Sequence, residues 1–177
     1  MTTRRDFLKY SAAASALVLA PAALARPVES GERRLKFYNL HTGEHLNATY
    51  WVDGIYIPDE VAAINTVLRD HRTGDVTKMD PRLFDQLYTL QQKVENRGTF
   101  SVISGYRSPA SNAKLSSMSS GVAKRSLHMR GKAIDIRLPG VELKHLRQAA
   151  LHMRAGGVGY YPRSNFIHVD TGRPRFW

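Results

Sequence analysis

Ser126-Leu127-His128-Met129-Arg130-Gly131-Lys132-Ala133-Ile134-Asp135-Ile136 places a histidine seven positions before an aspartate. The aspartate lies in an alternating run, Lys132 to Arg137, that reads as a strand. A second short strand, Asn165 to Asp170, carries another histidine, His168. Two imidazoles and one carboxylate form a three-ligand set of the kind zinc takes in hydrolytic sites, with the fourth position left for water. A strand-borne Asp135 is costly to bury without a partner, and a metal would supply one. The same spacing also suits two ordinary histidines and a surface aspartate, because spacing alone is weakly specific.

The elements that must position these groups can be read around them. Leu35 to Leu40 and His45 to Trp51 read as strand, turn, strand, with His41 and His45 as solvated turn residues. Pro58-Asp59-Glu60 opens a helix to about Arg72, and Asp80-Pro81 opens a second, with Leu83, Leu87, Leu90 and Val94 as its apolar stripe. Thr99 to Ser104 is a strand running into Gly105-Tyr106-Arg107-Ser108-Pro109, and the serine-rich stretch 111–126 reads as an exposed loop. Val141 to Arg154 is helical. Gly156-Gly157-Val158-Gly159-Tyr160-Tyr161 leads into the last strand, and an Arg-Pro-Arg-Phe-Trp tail ends the sequence. The three glycines do not make a phosphate cradle, because no helix opening with Lys-Ser or Lys-Thr follows them. One α+β domain is expected, a small, mostly antiparallel sheet packed on helices.

Composition narrows the setting. The chain has 177 residues, no cysteine and a net charge of +11. A metal must therefore use His and carboxylate ligands, and the charge favours an anionic partner. Residues 1–25 join Arg4, Arg5 and Lys9 to a short apolar run ending Ala23-Leu24-Ala25, the layout of a twin-arginine export signal with cleavage expected after Ala25. Residues 26–33 read as a linker and 34–177 as the domain; the mature charge is then about +9. A periplasmic location follows, with no stable membrane span after cleavage. No basic run with interleaved aromatics marks a nucleic-acid patch, so nucleic acid is not an expected partner.

Ser104-Gly105-Tyr106-Arg107-Ser108, then His128-x-x-Gly131-x-Ala133-x-Asp135, then a strand-borne His168 resembles the zinc peptidases of the D-alanyl-D-alanine carboxypeptidase and murein endopeptidase group. These share a fold with lysostaphin-type peptidases and the hedgehog signalling domain. Within the group the chain is most similar to the MepK-type murein endopeptidases. The resemblance covers roughly residues 33–177 and implies that His128, Asp135 and His168 bind Zn2+. It implies that Arg107 faces the substrate, anchoring a carboxylate or oxyanion, and that the substrate is the peptide cross-link between peptidoglycan stem peptides, of the D-alanyl-diaminopimelate or diaminopimelate–diaminopimelate kind. Ser108 either bonds near the zinc and substrate or caps the following helix.

The chain departs from the pattern where many members place a general base. A glutamate three residues before the last ligand, or a histidine two before, is here Asn165 or Phe166. Asp170 has the right strand parity to take the proton, or equally to orient a ligand imidazole. His145 and His152 are weaker candidates on a helix. The missing glutamate also motivates a second reading, a peptidoglycan-binding module with a structural zinc and no catalysis.

Overall fold

The computed structural model describes residues 31–119 and 121–177; the signal segment and its cleavage point lie outside them. The first strand, β1 (Glu32–Asn39), begins inside the stretch read as linker. It pairs antiparallel with β2 (His45–Val52), which pairs with the short β3 (Ile55–Tyr56). Two helices follow, α1 (Pro58–Val67) and α2 (Pro81–Lys93). Asp80 caps α2 as expected, its carboxylate accepting from the Arg82 amide, and Leu83, Phe84, Leu87 and Leu90 are buried along one face. The remaining elements are β4 (Phe100–Ser104), α3 (Pro109–Met118), β5 (Ala133–Arg137), α4 (Leu143–Met153), β6 (Gly157–Tyr161), β7 (Phe166–Asp170) and β8 (Arg175–Phe176).

All eight strands join one sheet in the order β3-β2-β1-β4-β5-β7-β6-β8. Among the described residues only β1 with β4 and β6 with β8 run parallel. The sheet is therefore mostly antiparallel, as expected, but larger than the small sheet read from the sequence. Two strands are extra: β3, which pairs Ile55 and Tyr56 with Val52 and Trp51, and β8, in the stretch read as a tail, which pairs Arg175 and Phe176 with Gly157 and Val158.

A second departure is α3, where a loop was expected. The serines carry weak helix propensity, but Pro109 at the first turn and the Ser108 hydroxyl, which accepts from the Ser111 amide, supply a start signal. Ser116 and Ser117 then donate to the carbonyls of Ala113 and Lys114, three residues back. His41 and His45 are exposed, as expected, but His41 stacks on His71 with ring centroids 3.7 Å apart.

Alternation decides what each face of the sheet does. Ile134, Ile136, Ile167 and Val169 are buried in the core together with Leu87 and Leu90 of α2 and Leu146 of α4. By the period of two, Asp135 on β5 and His168 on β7 point to the opposite face. They are direct cross-strand partners in the β5–β7 register.

Candidate metal centre

His128 does not sit on a strand. It lies in a short 3-10 turn, Leu127–Arg130, capped by the Ser126 hydroxyl and closed by Gly131 in the left-handed conformation (φ 62°). A side chain at Gly131 would also meet the Lys78 carbonyl at 2.6 Å, which gives the glycine of the His-x-x-Gly pattern its physical reason. The turn sets the His128 ring against the end of β4, where its Nδ1 lies 2.7 Å from the Gly105 carbonyl oxygen. A carbonyl only accepts, so Nδ1 carries the proton and Nε2 presents a lone pair.

His168 is oriented by the same logic with the nitrogens exchanged. Its Nε2 lies 3.0 Å from Asp170 Oδ2, to which it donates, and Nδ1 faces the site. The three converging atoms are His128 Nε2, His168 Nδ1 and Asp135 Oδ1, separated by 3.1, 2.9 and 3.3 Å. With both ring protons held on the far nitrogens, three acceptors face one another with no donor between them. A cation resolves that conflict. Zinc bound tetrahedrally at ~2.0–2.1 Å would place its ligand atoms about 3.3 Å apart, and the observed separations fit it. His128, Asp135 and His168 form a possible metal site, all three buried.

The three side chains also act on one another's protonation. Burial alone would raise the Asp135 carboxyl, but the adjacent His128 and His168 hold it well below the usual carboxylate range. Burial would lower His168, yet its contacts with Asp135 and Asp170 outweigh this and raise it.

Arg107 stands on the pocket wall, its guanidinium 3.9 Å from Asp135 Oδ2 and touching Asn112 and Ser104 at 3.4 and 3.5 Å. Its Nε is buried without a hydrogen-bond partner, so a donor remains to be used. The pocket holds about 280 Å³, and besides the three acceptor side chains it is lined by Arg107, Arg125, Leu127, Tyr161, Phe166 and Trp177. Trp177 donates from Nε1 to the Tyr161 hydroxyl oxygen at 2.8 Å, leaving the phenolic O–H free to donate.

For two residues the sequence left alternatives open, and their contacts in the structure are as follows. Asp170 shares a face with His168, as its parity requires, but lies behind the ring and is fully buried. Besides His168 it accepts from the Gly157 and Gly172 amides and, through two bonds, from Arg175. Its oxygens are committed and it does not line the pocket, a poor placement for a base. Ser108 is buried, caps α3, and donates its amide to Asp70 Oδ2; it lines no part of the pocket. His145 and His152 are exposed on α4 and do not line the pocket either.

Arg175, Trp177 and Tyr161 are the residues that sequence reasoning passed over. Their signal lay in the glycines of β6. A side chain at Gly157 would strike the Arg175 guanidinium and Asp170, and one at Gly159 would strike the Trp177 ring at 2.8 Å. Glycines alternating in a strand mark the close approach of neighbouring side chains.

Comparison with known proteins bears on the whole chain. The family model described as peptidoglycan L,D-endopeptidase MepK, Peptidase_M15_2, matches residues 28–177. The chain belongs to this family. It is a peptidase, with the mixed α/β architecture of that family. Peptidoglycan L,D-endopeptidase MepK of Escherichia coli K12 is 46% identical over 175 residues, covering 98% of this chain and 96% of the relative. The same protein of Shigella flexneri is similar to the same extent. The probable peptidoglycan L,D-endopeptidase MepK of Haemophilus influenzae is 41% identical over 176 residues, covering 98% and 95%. Residues 1–21 match the twin-arginine translocation signal sequence, which marks the chain for export to the periplasm. Among the described residues no helix is long and apolar enough to cross a membrane. No solved structure matches the chain significantly.

Proposed function

We propose that this chain is a zinc endopeptidase of the periplasm that hydrolyses peptide cross-links between peptidoglycan stem peptides. The observation that carries the reading is the set of three facing acceptors, His128 Nε2, His168 Nδ1 and Asp135 Oδ1, within 3.3 Å of one another on a pocket floor. The L,D designation of the relatives favours the bond between two diaminopimelate residues, whose acyl side is an L centre and whose amine side is a D centre. The D-alanyl bond joins two D centres and is the less favoured substrate.

When bound, zinc supplies Lewis-acid polarisation of the scissile carbonyl and activation of water near neutral pH. The protein groups do the rest. Arg107 aims its guanidinium at the pocket and receives the developing oxyanion or a substrate carboxylate through its fixed fork of donors. Tyr161, which lines the same pocket, offers a second donor. Asp170 and Arg175 hold the His168 ring in the tautomer and direction that ligation needs. Among the described residues no carboxylate other than Asp135 lines the pocket, and Asp135 is held too acidic to be a good proton acceptor. Proton transfer thus falls to solvent or to a free carboxylate of the substrate itself. The mature charge of about +9 suits a polymer carrying many such carboxylates.

Purified mature protein incubated with cross-linked muropeptide dimers should release monomers, and release should stop with a chelator and return with added zinc. Dimers carrying the Dap–Dap bond should be consumed faster than D-alanyl-linked dimers. Absence of chelator-sensitive release would refute the reading.

A further inference from the structure

A second pocket lies beside β8. It holds about 460 Å³ and is lined by Arg147, Leu151 and Arg154 of the α4 region, Val158 of β6, and Pro174, Arg175 and Phe176. The β6–β8 register pairs Val158 with Phe176, so Phe176 shares a face with Val158, toward α4. Arg175 and Trp177 alternate to the other face, where they meet the positions of Gly157 and Gly159 beside the candidate metal centre. The two pockets adjoin at β8, where Arg175 lines both.

The charge on this second surface is not balanced locally. Leu143–Met153 carries Lys144, His145, Arg147 and His152 and no acidic residue, and Arg154 follows at its C-terminal end with φ 50°. Arg147, Leu151 and Arg154 recur at i, i+4 and i+7, which puts them on one stripe. Both arginines line the pocket, and no carboxylate lines it to offset their charge. Arg147 lies over the Tyr160 ring at 5.1 Å, and its Nε is buried with no hydrogen-bond partner. Phe176, 71% exposed, supplies an apolar wall. Two guanidinium forks beside an apolar wall fit a carboxylate on an aliphatic stem, because a guanidinium takes a carboxylate through two parallel bonds.

We propose that the Arg147–Arg154 pocket is an exosite for the free carboxylate of a peptidoglycan stem peptide other than the one being cut. The site tethers the enzyme to the polymer while the adjoining pocket carries the chemistry. This inference rests on the substrate class proposed above and adds a second point of contact with it.

The test is binding, read independently of hydrolysis. Wild type and the Arg147→Gln/Arg154→Gln protein are sedimented, in the cold and within minutes, with native sacculi and with sacculi whose carboxylates have been chemically amidated. Wild type should lose binding on amidation. The Gln pair should bind native sacculi about tenfold more weakly and respond less to amidation than wild type, the loss expected for removing two charged hydrogen-bond donors from an interface. Equal binding of native sacculi by the two proteins overturns the proposal, as does an undiminished response of the Gln pair to amidation. The Arg147→Lys/Arg154→Lys protein, which keeps both charges and the helix but loses the planar forks, should bind between wild type and the Gln pair. If the Lys pair is as weak as the Gln pair, the loss comes from packing and the proposal fails. Hydrolysis of soluble dimers by wild type, with and without chelator, separately decides whether the peptidase reading itself stands.

Discussion

At the scale of single residues, Asp170 separates a chemical role from a positioning one. It accepts from His168, two backbone amides and both terminal nitrogens of Arg175, so its oxygens have no capacity left for a water at the pocket floor. Asp170→Asn keeps the size but swaps one acceptor for a donor facing donors. Metal affinity should fall about 10–100-fold, measured by competition with a chelating dye, as for other partners that orient a metal-ligating imidazole. A base would behave otherwise: the substitution would lower kcat and leave affinity unchanged. The ligand triad was legible in the sequence because a histidine before a strand, an aspartate inside it and a histidine on a neighbouring strand are three separate coincidences. The role of Asp170 was not, since parity gives the face of a side chain and not which side of a neighbouring ring it touches.

At the scale of elements, β6 and α2 show what local pattern does and does not fix. In β6 the glycines are required by what lies over them. Gly159→Ala would push a methyl group into the Trp177 ring, which lies tilted against His168 with centroids 5.2 Å apart and bonds Tyr161. The variant should lose about 1–3 kcal/mol in urea unfolding, as overpacked sites do. A red shift in tryptophan emission should accompany it as Trp177 is displaced into solvent. In α2 the cap is ionic as well as geometric. Asp80 is lowered to about 2, first by its hydrogen bonds with Arg82 and against its burial, and then by Thr171. Its folded pKa lies below the ordinary 3.8, so the stability it contributes is complete above that value and is lost as pH falls through about 2. Asp80→Asn, which still caps, should unfold at lower urea than wild type at neutral pH, and the gap should close between these two pH values. A gap independent of pH would show that the carboxylate charge contributes nothing. The helix was visible from sequence because Asp-Pro and the Leu83, Leu87, Leu90 spacing agree. The α3 helix and β8 were not: serine-rich composition weighs against a helix until its cap is known, and a two-residue strand has no period to detect.

For the whole molecule, the candidate metal centre joins parts of the chain that are distant in sequence. His128 comes from the turn after α3, Asp135 from β5 and His168 from β7, so an ion would tie the turn to the middle of the sheet. Only β5 and β7 are bound to each other by a ladder of backbone hydrogen bonds. The turn is held to β4 by the Arg107 amide and His128 Nδ1, two contacts that meet the His128 and Gly105 carbonyls. Stability should therefore depend on the ion, because any ligand that binds only the folded state stabilises it by mass action. An ion at a free concentration 100 times its dissociation constant adds about 2.7 kcal/mol. For a domain of this size each kcal/mol moves the melting temperature by about 2–4 °C, so chelation should lower it by about 5–11 °C. His168→Ala leaves two of the three ligands and should melt at the same temperature with and without chelator. Hydrogen exchange adds the location: on metal removal, protection should fall first at residues 126–131, whose own hydrogen bonds are few, and last along β5 and β7. A chelator response in His168→Ala equal to that of wild type would mean the ion is held elsewhere, and the three acceptors would then face one another for a different reason.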